Sequence, residues 1–346
     1  MNDTRVFYDL SYEELKDMLV DWGEAGFRAD QIFQDAYIQL KNAFEDFSTL
    51  PAALRTRMAG EFILDPLTTV DQLVSSDGET TKLLFELPDG SRIESVLMKY
   101  EKRRTLCIST QAGCAMGCSF CATGQMGFTR HLSSGEIVAQ VVHFARELAR
   151  DGEKVTNIVF MGMGEPFHNY DATKAAIETL NHPKGLNLGA RRFTISTVGL
   201  VPAIKRFTAE NSQVNLSISL HATDDELRSG MMPVNNRYPI AELIQACREY
   251  VETTHRRITF EWALIQNVND SPEQAQELAD LLKGMLCHVN VIPLNPTANF
   301  SGQRSENRRV ELFRQTLEAN GIPCTVRIRR GIDIQAGCGQ LASKNT

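Results

Sequence analysis

No apolar run in this sequence approaches the ~18 residues that read as a membrane span. The opening stretch MNDTRVFYDLSYEEL lacks the basic and apolar regions of a signal peptide and reads as acidic and helix-like. These two absences predict a cytoplasmic protein with no membrane partner, in a compartment where thiols stay reduced. Positive charge is not in surplus either: 36 Lys and Arg stand against 43 Asp and Glu, a net charge of −7. That excludes a uniformly basic coat for nucleic acid. The charge is uneven, however. Residues 1–100 hold nine Lys/Arg and nineteen Asp/Glu, while residues 302–330 hold seven Arg and three Glu. Clusters at KRR (Lys102–Arg104), ARR (Ala190–Arg192), HRR (His255–Arg257), NRR (Asn307–Arg309) and RIRR (Arg327–Arg330) could meet phosphates. Taken alone, they read as well as solvated helix ends and strand edges.

What the sequence does have is cysteine. Eight cysteines in a reducing compartment point to metal or redox chemistry before structural disulfides. The remaining composition is that of an ordinary globular chain, with 42% hydrophobic and 23% charged residues. At 346 residues it can bury a sizeable core and form about two domains.

The first ~65 residues predict a small helical domain. SYEELKDMLVDWG opens on Ser11 with Glu14 three residues on, a capping box before the apolar face of Leu15, Met18 and Leu19. RADQIFQDAYIQL and STLPAALRTRMAGEF follow at helical spacing. Over residues 66–104, TKLLFELPDGSRIESVLMKY alternates around PDG and predicts a β-hairpin. From residue 105 to 346 the pattern becomes β-type runs alternating with amphipathic helices: seven strands and six helices. This is an α/β pattern of repeated βα units. A partial (β/α) barrel fits it, and a doubly wound sheet is the alternative. Polar residues cluster where the strands end, which in βα barrels is the catalytic mouth.

Within CISTQAGCAMGCSFCATGQMGF, Cys114, Cys118 and Cys121 form C-x3-C-x2-C. Three thiolates on one loop can hold three irons of a 4Fe–4S cluster and leave the fourth iron open. The competing reading is structural zinc, which wants four N/S ligands. Cys107 could supply the fourth, but no second C-x2-C knuckle is present. Cys247, Cys287 and Cys324 read as core cysteines.

The C-x3-C-x2-C loop, GMGEP (Gly162–Pro166), TISTVG, SISLHA and VIPLNP together resemble the radical S-adenosylmethionine (SAM) superfamily. That resemblance implies a 4Fe–4S cluster held by Cys114, Cys118 and Cys121. It also implies SAM contacts from Gly164, Glu165, Ser196, Ser219, Leu220, His221 and Asn295. RRGIDIQAGCGQL (Arg329–Leu341), RSGMMPVNNRYP and CISTQAGCAMGCSFCATG narrow it further: the chain is similar to the RlmN/Cfr family of RNA adenosine methyltransferases over nearly its whole length. NVND stands where the family often has GVND, and DIQAGCGQL where DIDAACGQL is common; neither departure touches the implied ligands.

The resemblance implies a mechanism in which Cys338 carries a methyl group, Cys107 resolves the bond to RNA as a disulfide, and Glu94 takes a proton. Two SAM molecules would be used per turnover. The expected partners are 23S rRNA, tRNA and a reducing electron donor such as flavodoxin, and the helical domain would assist RNA binding. DIQAGCGQLA favours the branch that methylates adenine C2 over the Cfr-type branch that methylates C8. A module that binds RNA through iron–sulfur or zinc without methyl transfer is the reading from a different class. Without the resemblance, Cys107 would read as a small apolar strand residue, Cys338 as a loop thiol and Glu94 as a solvated strand charge.

Overall fold

The structure, a computed structural model, describes residues 5–328 and 330–342. Arg329, part of the RIRR and RRGIDIQAGCGQL stretches, lies outside the described residues.

The capping box forms as expected. The Ser11 side chain accepts from Glu14 N at 3.2 Å, and Ser11 N donates to the Glu14 carboxylate at 2.8 Å. This starts α1 (Tyr12–Asp21), followed by α2 (Arg28–Phe33), a π-helical turn at Gln34–Ile38, and α3 (Ala52–Glu61). Phe7, Tyr8, Phe33, Tyr37, Phe44 and Phe47 fill the space between them. Asp9 fastens this unit to the helix that begins at Ser134, accepting from Ser134 Oγ at 2.9 Å and Gly135 N at 2.5 Å. A Cβ at Gly135 would stand 2.6 Å from Asp9 N, so this approach requires glycine.

Ten strands form one sheet whose lateral order is the chain order. They are β1 (Thr68–Val74), β2 (Thr80–Glu86), β3 (Arg92–Tyr100), β4 (Arg103–Cys107), β5 (Asn157–Phe160), β6 (Phe193–Thr197), β7 (Asn215–Ser219), β8 (Ile258–Leu264), β9 (Cys287–Pro293) and β10 (Cys324–Val326). The first four pair antiparallel, and β4 through β10 pair parallel. The parallel set is the seven strands expected from the sequence. A short helix, α4 (Ala122–Met126), and then α5 (Ser134–Arg150) follow β4. Next come α6 (Tyr170–Asn181), α7 (Val201–Ala209), α8 (Asp225–Met231), α9 (Ile240–Thr254), α10 (Pro272–Leu282) and α11 (Asn307–Ala319). Because the strand order never reverses, right-handed crossovers carry the helices to one face of the sheet. The opposite face is left to curl around a cavity. This is the partial barrel; a doubly wound sheet would need a reversal point. Among the described residues, no helix is long and apolar enough to cross a membrane.

The hairpin around PDG is β2–β3, and it continues the barrel sheet: β3 pairs with β4, placing Val96 opposite Cys107. β1 adds a third strand that the sequence reading did not anticipate. All seven of its residues are exposed, so it carries no alternation of buried and exposed positions.

Beyond β10 the described residues cross back over the hairpin without a further helix or strand. The Arg330 guanidinium lies 4.3 Å from the Tyr100 ring centre and donates to Lys99 O at 3.1 Å. Ser76 N donates to Asp333 at 2.8 Å, and Ala342 N to the Glu94 carboxylate at 2.8 Å. On the other side, Gln340 donates to Pro296 O at 3.0 Å. The segment thereby spans the space between the last parallel strand and the antiparallel extension.

Candidate active site

The ends of the parallel strands surround about 880 Å³ of space, part of it open to solvent. Cys118, Cys121, Gly164, Glu165, Ser196, Ser219, His221, Asn295 and Cys338 all line it. Cys107 lines an adjoining chamber whose wall includes Asn295, Arg327 and Cys338 as well. Residues spread over more than two hundred positions are thus gathered at one mouth, as strand-end chemistry requires.

The loop after β4 carries the three cysteines. Gly113 and Gly117 have φ of 74° and 65°, so the backbone turns where a side chain would be strained. Gly124 packs so closely that a Cβ would stand 2.9 Å from Cys118 N. Cys114 and Cys118 are buried and Cys121 half-buried, all as free thiols. Burial pushes the Cys114 thiol up to about 12, and Cys118 is raised by burial and then by Cys121 and Cys114. Burial and mutual proximity oppose ionisation of these thiols, so they would become thiolates only beside a positive centre, which is what a cluster would supply. Among the described residues, no three His, Cys, Asp or Glu converge as a cage for a single ion. Cluster ligands need no such convergence, since each thiolate serves a different iron. The donor set fits a cluster better than one zinc ion.

In the GMGEP turn, a Cβ on Gly162 would stand 2.6 Å from Ile108 O, and Gly164 has φ of 102°. Glu165 is buried, and its carboxylate accepts from Phe167 N and Val198 N, each at 2.9 Å. Burial nevertheless lifts its carboxyl up to about 7. His221 sits at the end of β7 in the left-handed region, φ 63°. Its Nδ1 accepts from Ala263 N at 3.0 Å, which puts the ring proton on Nε2. Burial, then the Arg228 charge, holds it down at about 3, so the imidazole stays neutral. Leu220 is fully buried behind the wall. Asn295 donates to Cys338 O at 3.1 Å. The cysteine loop grips the same segment: Ala122 N donates to Gly339 O at 2.7 Å and Thr123 Oγ1 to Leu341 O at 2.6 Å.

Cys107, in the last position of β4, is pushed up to about 12 by burial, then by Cys338; Arg327 opposes the rise. Arg327 is raised, chiefly by Cys338, so the guanidinium and both thiols form one electrostatic group. Glu94 does not line the cavity. It is a buried strand residue, 5% exposed, paired with Lys82 at 3.0 Å and bound to Ala342 N. Cys247 and Cys287 are core residues as expected, and Cys324 is half-buried.

Sequence reasoning missed three polar residues here. Arg228, fully buried, donates to Leu220 O, Ser219 O, Val198 O and Asn235 Oδ1 at 2.7–3.1 Å. Glu261 lines the cavity with one carboxylate oxygen 3.8 Å from Arg327 Nη1. The third is Arg327, read in the sequence only as part of a basic cluster and not as a cavity residue. A lone acid inside the apolar run RITFEWALI was a signal for Glu261; RSGMMP in a short helix gave none for Arg228.

Comparison with known proteins agrees with this layout. The profile described as "Radical SAM superfamily" matches residues 108–284, and that described as "Ribosomal RNA large subunit methyltransferase N-terminal domain" matches residues 7–64. The "Probable dual-specificity RNA methyltransferase RlmN" of Chloroflexus aurantiacus is 50% identical, covering 99% of this chain and 94% of its own. The chain belongs to the RlmN family of radical SAM RNA methyltransferases. The "Dual-specificity RNA methyltransferase RlmN 1" of Myxococcus xanthus is 48% identical over 96% of this chain and 93% of its own. Among solved structures, a radical SAM methyltransferase from Sphaerobacter thermophilus superposes with a TM-score of 0.96 at 53% identity, covering 98% of this chain and 100% of that one. As a member of the RlmN family the chain is an enzyme that methylates RNA and uses a 4Fe–4S cluster and SAM.

Proposed function

We propose that this enzyme methylates C2 of an adenosine in the peptidyl-transferase region of 23S rRNA, and C2 of the adenosine 3′ to the tRNA anticodon. It works in the cytoplasm with electrons from a flavodoxin-type donor. The observation that carries the mechanism is that Cys107 and Cys338 line one chamber, continuous with the cavity walled by Cys118, Cys121 and Glu165. C2 of adenine is an electrophilic amidine carbon, so direct attack of the base on SAM is closed to it. Cys114, Cys118 and Cys121 hold the cluster; Gly164, Glu165, Ser196, Ser219, Leu220, His221 and Asn295 form the SAM site. When bound, the two groups supply a methyl and the carbon radical that activates it.

The remaining work falls to the chain. Cys338 holds the methyl as a thioether, with Asn295 and the cysteine loop fixing its backbone. Glu94 takes the ring proton of the base, an acid–base role that requires the segment bearing Ala342 to move off its carboxylate and open it to the chamber, which Glu94 does not line in this arrangement. The Cys107 thiolate attacks the Cys338 sulfur; a disulfide forms as the sulfur–carbon bond to the base breaks, and the electron pair of that bond with a proton turns the methylene bridge into the methyl group of the freed base. That step removes two electrons from the thiol pair, so the disulfide is reduced again between turnovers. Relatives named as dual-specificity RNA methyltransferases and one named for the large-subunit ribosomal RNA support action on two kinds of RNA, one of them ribosomal. Mass spectrometry of nucleosides from rRNA and tRNA after reaction should find 2-methyladenosine in both. Finding 8-methyladenosine would make this a Cfr-type enzyme.

A further inference from the structure

A second depression lies on the outer side of the cysteine loop, away from the cavity. It opens between that loop, the start of α7 and the turn after α8, with about 1000 Å³ of open space. Its floor is apolar: Met116, Leu200, Pro202, Pro233 and Val234. Met116 and Val234 have a second contact. Both pack on the small buried cluster that includes Cys118, so one layer of side chains separates this groove from a cluster ligand. The loop is braced there by Ser119 N donating to Met231 O at 2.9 Å. The chain carries a net −7, yet no carboxylate is among the residues that line this depression. Its rim carries the exposed Arg237, lying 5.6 Å from the Tyr238 ring centre, and His168.

From this we infer that the groove formed by Met116, Pro202, Pro233 and Val234, with Arg237 at its rim, is the docking surface for a small acidic one-electron carrier protein of the flavodoxin type. The inference rests on the radical SAM reading. Each reductive SAM cleavage consumes one electron: the carrier is oxidised by one electron, and the sulfonium C–S bond splits into methionine and a carbon radical. RNA and SAM occupy the cavity side, so the electron has to enter from outside, and transfer weakens steeply with distance. This groove is the lined surface next to the loop, and its apolar floor with a cationic rim suits an acidic partner, whereas the acidic first hundred residues would repel one.

Two variants test it without touching the cavity. Arg237→Glu reverses the rim charge; Pro202→Glu puts an acid in the first turn of α7, which the helix dipole tolerates. Titration calorimetry of the full chain with an acidic flavodoxin should show binding weakened about tenfold by either variant, and weakened by salt in the parent chain. SAM cleavage driven by reduced flavodoxin should fall to match, while cleavage driven by dithionite stays at the parent rate. Unchanged flavodoxin binding overturns the docking assignment, as does equal loss with both reductants. Weaker RNA binding with normal flavodoxin binding assigns the groove to RNA and overturns it too. If the parent chain cleaves no SAM even with dithionite, the radical reading itself falls.

Discussion

Burial lifts the Glu165 carboxyl from 4.5 up to about 7 even though two backbone N–H groups donate to it. The folded chain therefore keeps a proton there across a window in which the unfolded chain has lost it. Its contribution to stability declines as pH rises from about 4.5 to 7. A cationic ammonium placed against it favours the ionised form. SAM affinity of the reconstituted enzyme should thus climb between about pH 6 and 8, and Glu165→Gln should flatten the climb. A profile equally steep in the variant would remove Glu165 from the SAM site. Cys107 makes a different signature. Cys107→Ala should still build the cluster and methylate Cys338, then stall with RNA joined to Cys338. A slow band on a denaturing gel that ribonuclease collapses is the expected result; normal turnover would make Cys107 a packing residue.

Short elements decide how the strand ends are held. Arg228 projects from α8 and satisfies carbonyls at the ends of β6 and β7. Arg228→Met leaves those buried acceptors unpaired and should cost about 3 kcal/mol or more, read from the urea midpoint, with loss of SAM binding. Parent-like stability would show that water replaces the guanidinium. The elements with strong periodicity were legible in the sequence: the capping box of α1, the seven parallel strands and the six helices between them. β1 was not, because a strand exposed on both faces alternates nothing. α8 was not, because seven residues show too little of a helical face. Within the site, the cysteine loop and the GMGEP turn announce themselves by spacing and glycine. Arg228 and Glu261 act through contacts that the fold assembles, and Lys82 through Glu94 across the hairpin; the pattern gives the elements but not which of their side chains pair.

At the scale of the whole molecule, the hairpin extension and the segment bearing Cys338 depend on one another. Lys82 and Glu94 form a nearly buried pair, and Glu94 also binds Ala342. Removing only the cation, as in Lys82→Met, strands a buried carboxylate and should cost about 3–5 kcal/mol. The double variant Lys82→Met/Glu94→Gln should regain most of that stability while remaining unable to methylate RNA. Additive losses in chemical denaturation would show that the two residues do not act as a pair. The crossing segment also has a consequence for biosynthesis. A ribosome completes the cysteine loop and every strand of the sheet before it reaches Cys338. Until then the nascent chain has no wall on that side of the cavity and no neighbouring thiol for Cys107. The chamber shared by Cys107 and Cys338 is therefore closed by residues that follow every strand of the sheet, so it forms only when the crossing segment docks across the hairpin.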